Sequence, residues 1–135
     1  MRNRPGMTAA DVAAIATACR EEARRLGLAV TFCIVDDGGH LLHLERLDAR
    51  PSTVDVAIGK ARTSALMRIP TGAFEARVRE NPHFTKLDAM PLQGGLPLFY
   101  AQEPVGAIGV SGAMPAQDEA IAQAGCAALG ALPPP

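Results

Sequence analysis

Tryptophan is absent from this chain, tyrosine occurs once and phenylalanine four times. No basic block stands out, and 13 basic against 14 acidic residues leave a formal net charge of −1. Nucleic-acid binders present an electropositive face, often with rings on which bases stack, so no nucleic-acid partner is expected. Long apolar runs are missing too. The longest, Leu28 to Val35, contains Thr31, whereas a membrane-spanning helix needs about 20 apolar residues. The N-terminal Met1-Arg2-Asn3-Arg4-Pro5-Gly6-Met7 is positively charged, but Asp11 and Arg20 interrupt the apolar residues after it, so a secretory signal is not expected. Cys19, Cys33 and Cys126 are odd in number and include no C-x-x-C pair. Each lies in an apolar context and reads as a buried small hydrophobe rather than part of a disulfide or metal site. A cytoplasmic location without a membrane partner is the expectation. Signatures of known catalysis are also absent: there is no G-x-S-x-G, no H-E-x-x-H and no phosphate-binding G-x-x-x-x-G-K-[ST].

What is present suits one folded domain. Of the 135 residues 48% are hydrophobic and 20% charged, and 13 Gly with 11 Pro stay below the level of low-complexity sequence. A chain of this length buries roughly two thirds of its unfolded surface. Thr8 with Asp11 can cap a helix that carries Val12, Ile15, Ala16, Cys19, Ala23 and Leu26 at helical spacing and stops at Gly27. Residues 28–35 and 40–47 read as antiparallel strands around the turn Asp36-Asp37-Gly38-Gly39. Pro51-Ser52, with Asp55 in a capping-box-like position, opens a second helix to about Met67. Thr71 opens a third, which Asn81-Pro82 ends. Residues 82–95 are irregular, strands at 96–100 and 105–110 flank a turn at Ala101 to Pro104, and a last helix runs from Pro115 to about Leu129. The pattern predicts an α+β layer fold, a single domain over residues 8–130 and a disordered tail over 131–135.

The second helix carries two stripes. Val54, Ala57, Ile58, Ala61 and Ala65 should face the sheet. Opposite them, Val56, Gly59, Lys60, Thr63 and Met67 are small or apolar with one cation, which predicts a second contact surface, for a subunit or a ligand. The Gly-rich run Gly106 to Gly112 feeds the last helix. Backbone amides there, helped by the helix N-terminus, favour an anion, so the negative group of a ligand is expected near Lys60. Arg46, Asp48 and Lys60 form a cation pair with a carboxylate, suited to a small carboxylate or a propionate. His40 and His43 point to opposite faces of a regular strand and cannot share one ion, while His83, after Pro82, could reach a ligand. Asp118 and Glu119 lie in the first turn of the last helix, where the macrodipole favours them.

Several of these segments together resemble the GlcG/HbpS family of haem-binding and glycolate-operon-associated proteins. They are Ile34-Val35-Asp36-Asp37-Gly38-Gly39-His40-Leu41, Arg46-Leu47-Asp48, Gly59-Lys60-Ala61-Arg62-Thr63-Ser64-Ala65, Gly94-Gly95-Leu96-Pro97, and Val105 to Gly112 followed by Gln117-Asp118-Glu119. The chain is also similar to the C-terminal domain attached to some cobalamin adenosyltransferases. The resemblance implies a profilin-like fold, with a five-stranded antiparallel sheet between helices, and assembly into dimers or larger homo-oligomers. Some members of that family bind haem, so haem is the leading cofactor for the small anionic ligand that the residues around Lys60 suggest. The residues expected to bind that ligand are Arg46, Lys60, Thr63, His83, Gly94, Gly95, Ser111, Gly112 and Asp118. The alternative is a small catabolic or biosynthetic enzyme, an isomerase, lyase or hydrolase. In it Arg46 or Lys60 would hold a carboxylate, and Asp48, His83 or Asp118 would move a proton.

Overall fold

The structure, a computed structural model, describes residues 1–130; the tail expected at 131–135 lies outside the described residues. Helix α1 (Ala9–Leu26) begins where the chain chemistry places it. Thr8 Oγ1 accepts from Asp11 N at 3.2 Å and Asp11 Oδ2 accepts from Thr8 N at 2.7 Å, closing a capping box. Gly27, at φ 66°, turns the chain out of the helix and donates to Arg24 O. Strands β1 (Thr31–Asp36) and β2 (Leu41–Arg46) form a hairpin whose turn is held by Asp36 Oδ1, which accepts from Gly38 N and His40 N, each at 2.9 Å. Helices α2 (Ser52–Met67) and α3 (Thr71–Glu80) and a 3-10 turn, Pro82–Lys86, precede the second hairpin. That hairpin is β3 (Gly95–Tyr100) and β4 (Glu103–Ser111), and α4 (Pro115–Gly130) closes the fold.

All strand pairs are antiparallel, in the order β2-β1-β4-β3. The central strands β1 and β4 are covered on both faces, which is why Phe32 to Val35 of β1 form a continuous apolar run instead of alternating with polar residues. Phe32, Ile34, Ile108 and Val110 pack with Ile15, Cys19, Ile121 and Ala122 under α1 and α4. Cys33, Val35 and Ala107 pack with Ala57, Ala61 and Ala65 of α2 on the other face. The α+β class is thus as the sequence predicts. Of the expected core stripe of α2, Ala57, Ala61 and Ala65 are buried, Ile58 packs partly against them, and Val54 is half-buried outside the cluster. No helix among the described residues is long and apolar enough to cross a membrane.

Three expectations are corrected. Four strands form the sheet among the described residues, not five. Between α3 and β3 no extra strand arises, because Asn81-Pro82 ends the helix, the 3-10 turn comes next, and Pro91 and Gly94 keep the rest irregular. The capping box at Ser52 and Asp55 does not form. The helix starts one residue early, so Ser52 is already helical, Pro51 at the cap offers no side-chain acceptor, and Thr53 Oγ1 donates to Arg50 O at 2.6 Å instead. The turn between β3 and β4 is only Ala101-Gln102, at φ 49° and 67°, with β4 resuming at Glu103. The turn itself is where the sequence predicts it, but two non-glycine residues with positive φ do not carry the Gly or Asn signal that marks so tight a turn.

Candidate functional site

Lys60 and Asp118 are both buried, each with a side chain only 4% exposed, and they meet at 3.2 Å. Lys60 Nζ also donates to Val110 O at 2.8 Å, and Asp118 Oδ1 accepts from Ala113 N at 3.0 Å. Lys60 stands on one helical layer and Asp118 on the other, so the pair joins α2 to α4 around the end of β4. Gly94 lies against it: a Cβ there would sit 2.7 Å from Lys60 Nζ and 2.7 Å from Val110 O. Gly95 N is anchored by Thr71 Oγ1 at 2.8 Å. Burial pushes the Asp118 carboxyl above its ordinary pKa, and the Lys60 charge only partly offsets that.

The structure therefore brings Lys60, Gly94, Gly95 and Asp118 together, with Ser111 paired to Thr31 of β1 instead, but the anion beside the lysine comes from within the chain. The amides beyond the Gly-rich strand are engaged as well: Ala113 N by Asp118, and Met114 N by Gln117 Oε1 at 3.1 Å. Gly112 packs against the α1–β1 connection, where a Cβ would lie 2.7 Å from Ala29 O. Thr63 faces another neighbour, accepting from Met90 N at 2.8 Å. Met90 also covers Gly59, 3.1 Å from where a Cβ would be. Gly59 and Thr63 of the second α2 stripe thus meet the chain's own loop before β3, and not the subunit or ligand expected there. Arg46 is not joined to Lys60: its Nε donates to Ala49 O at 2.6 Å. His83 is exposed on the 3-10 turn, its ring 4.5 Å from that of Phe84. Glu119 accepts from Gln93 Nε2 at 2.6 Å. No cluster of three or more metal-ligating side chains exists among the described residues. All three cysteines are free, and burial drives the Cys19 and Cys33 thiols up to about 12 and that of Cys126 to about 11.

A second polar cluster lies elsewhere, on a groove of about 440 Å³ between α1 and β2. Met7, Val12, Ala13, Ala16 and Leu42 make its apolar surface, and Arg20 and His43 stand among the lining residues. Glu45 joins those two. It accepts from Arg20 Nε and Nη2, each at 2.6 Å, and its Oε1 lies 2.9 Å from His43 Nε2. The His43 ring stacks on Phe32, with centroids 5.7 Å apart and planes inclined by 20°. Of these three polar residues, only His43 stands out in the sequence as a candidate. Glu45, two residues along the same strand, shares its face, and that spacing is the available signal.

Hydrogen bonding by Arg20, ahead of that by His43, holds the Glu45 carboxyl down at about 2. A carboxylate with a depressed folded-state pKa contributes stability above its unfolded value of about 4.3, and that contribution is lost as pH falls through the folded value. Acid unfolding should therefore steepen as pH falls from about 4.3 towards 2. Glu45→Gln should flatten that slope in denaturation curves taken across the range, and an unaltered slope would place the acid-sensitive groups elsewhere.

Residues 7–127 match the family described as haem degrading protein HbpS-like. Protein GlcG of Escherichia coli (strain K12) is 39% identical over 103 residues, covering 73% of this chain and 75% of that protein. The crystal structure of a double mutant of Streptomyces reticuli HbpS superposes with a TM-score of 0.88 at 32% identity, covering 96% of this chain and 91% of that one. A PduOC:haem complex superposes with a TM-score of 0.85 at 26% identity, covering 92% and 95%. The α+β sheet with its two helical layers, and a sequence match running from the α1 cap almost to the end of α4, agree, and the chain belongs to the HbpS-like family.

Proposed function

We propose that this protein binds haem, and that it does so in the groove between α1 and β2. The observation that carries this reading is the pairing of an apolar groove of about 440 Å³ with His43 and Arg20 at its edge. Small-molecule sites are commonly about 300–1,000 Å³, mostly apolar, with a few placed polar groups. The residues fit the group. Met7, Ala13 and Leu42 offer accessible apolar surface for a macrocycle. His43 offers an imidazole nitrogen of the kind that holds haem iron. Arg20 spends Nε and Nη2 on Glu45 and keeps Nη1 for a ligand carboxylate. When bound, haem supplies a redox-active iron. The haem held in the PduOC complex supports the ligand class. The buried Lys60–Asp118 pair gives that end of the fold no free charge for a ligand, which favours the groove.

Homo-oligomer formation, a cytoplasmic location and a profilin-like fold belong to the same proposal. Exposed Leu41 on the edge strand β2, and exposed Leu66 near the β1–β2 turn at Gly39, support the first. Free, buried cysteines suit a reducing compartment and support the second. A sheet with α1 and α4 on one face and α2 on the other supports the third.

Haem titration tests the function. The wild-type protein should give a shifted Soret band that saturates at one haem per chain. His43→Ala, with its fold checked by circular dichroism, should bind about a hundredfold more weakly, a loss of about 2.8 kcal/mol. No Soret shift in the wild type would overturn haem binding, and an unchanged affinity in His43→Ala would remove the ligand from this groove.

A further inference from the structure

Resting on that reading of the groove, we propose that Glu45 is the positioning residue of the site: it fixes the ring orientation and tautomer of His43, and Arg20 fixes Glu45. Three nitrogens converge on one carboxylate. Arg20 spans both oxygens, Nε to Oε2 and Nη2 to Oε1, and His43 Nε2 shares Oε1. Two parallel bonds from a planar guanidinium admit one orientation of the carboxylate plane, so the acceptor offered to His43 is fixed in direction. Phe32, opposite Glu45 in the β1–β2 register, supports the face of the imidazole. The ring is thus held at one edge and on one face.

The cluster spans both walls of the groove. Arg20 comes from α1, and His43 and Glu45 come from β2, so it is complete only when the helix is docked on the sheet. The three side chains are 27%, 32% and 25% exposed, shielded from bulk water yet reachable by a ligand. A surface ion pair between Arg20 and Glu45 alone would need no histidine. The shared Oε1 is what converts the pair into a support for His43. An anionic acceptor at Nε2 keeps the proton there and leaves the lone pair on Nδ1, which has no hydrogen-bond partner among the described residues. A carboxylate behind a ligating imidazole also strengthens it as an electron donor to a metal, the arrangement that orients ligating histidines elsewhere.

Glu45→Gln keeps the size and an acceptor oxygen but deletes the charge. Haem affinity should fall about 10- to 100-fold, and the reduction potential of the bound iron should rise, because a less electron-rich imidazole stabilises the oxidised metal less. Nitrogen-15 NMR of the haem-free wild-type protein gives a readout that needs neither haem nor the variant. It should show His43 protonated at Nε2 and not at Nδ1. A wild type that binds haem while Glu45→Gln keeps both affinity and potential overturns the positioning role and leaves the groove reading standing. An Nδ1–H tautomer in the haem-free wild type also overturns it, even if the variant fails to fold. A wild type that takes up no haem overturns the groove reading, and the inference with it.

Discussion

Lys60→Met should cost this fold about 3–5 kcal/mol, the usual penalty for removing one partner of a buried ion pair. Methionine keeps most of the stem that runs along α2, so packing changes little, and the loss comes from what is left behind. Asp118 would remain buried without its counter-charge and with one remaining amide donor from Ala113. Val110 O would lose the donor that now reaches it at 2.8 Å. The carboxyl sets the sign of the pH dependence. Burial already holds the Asp118 pKa above its ordinary value, and deleting Lys60 removes the charge that opposes this. A group whose folded pKa is raised favours the folded state when protonated, so the deficit of Lys60→Met should shrink as pH falls towards about 4. Adding Asp118→Asn should recover most of the loss at neutral pH, because the amide oxygen still serves Ala113 N and no charge stays buried. Urea denaturation of the two single variants and the double variant measures all of this. A Lys60→Met protein within about 0.5 kcal/mol of wild type would mean that Asp118 is hydrated in solution.

That lysine also separates what the chain makes legible from what it hides. Lys60 stands out on a stripe of small, uncharged residues, and the oddness of its place is visible at helical spacing. Its partner is 58 positions away, and periodicity carries no information over that distance. The same limit hides the cover of Gly59 and Thr63: the stripe announces a contact, but Met90 reaches it only because the chain folds back after α3. Local devices are legible for the opposite reason. The Thr8–Asp11 capping box, the stop at Gly27 and the Asp36 turn are settled within four residues by hydrogen bonds whose geometry the residue types dictate. The candidate site falls between these cases. His43 and Glu45 share a strand face and can be paired from their spacing, whereas Arg20 enters from another element 25 residues earlier and joins them only once α1 docks.

Gly109→Ala should destabilise the protein by about 3 kcal/mol or more, the upper range of overpacking in a closed core. Gly109 is not required for backbone freedom; it is required for space. A Cβ there would sit 2.2 Å from Ala57 O and 2.4 Å from Ala61 N, both backbone atoms of α2, so no rotamer change can relieve the clash. The strand cannot retreat either, because β4 is paired on both sides, with Gly109 opposite Cys33 of β1 and Gly95 of β3. The helix must lift instead. Ala57, Ala61 and Ala65 touch Cys33, Val35 and Ala107 through side chains too short to follow a displaced backbone, so lifting opens voids along the whole contact. It would also draw Lys60, the neighbour of Ala61, away from Val110 O and Asp118, so these two losses are coupled through one helix. Denaturation of Gly109→Ala measures the cost, with Gly6→Ala, where nothing lies within 4 Å, as the neutral control. Combining Gly109→Ala with Lys60→Met should cost less than the sum of the two, since a lifted helix has already weakened the bonds that the second substitution deletes. Strict additivity would show that α2 stays seated and that the strand gives way instead.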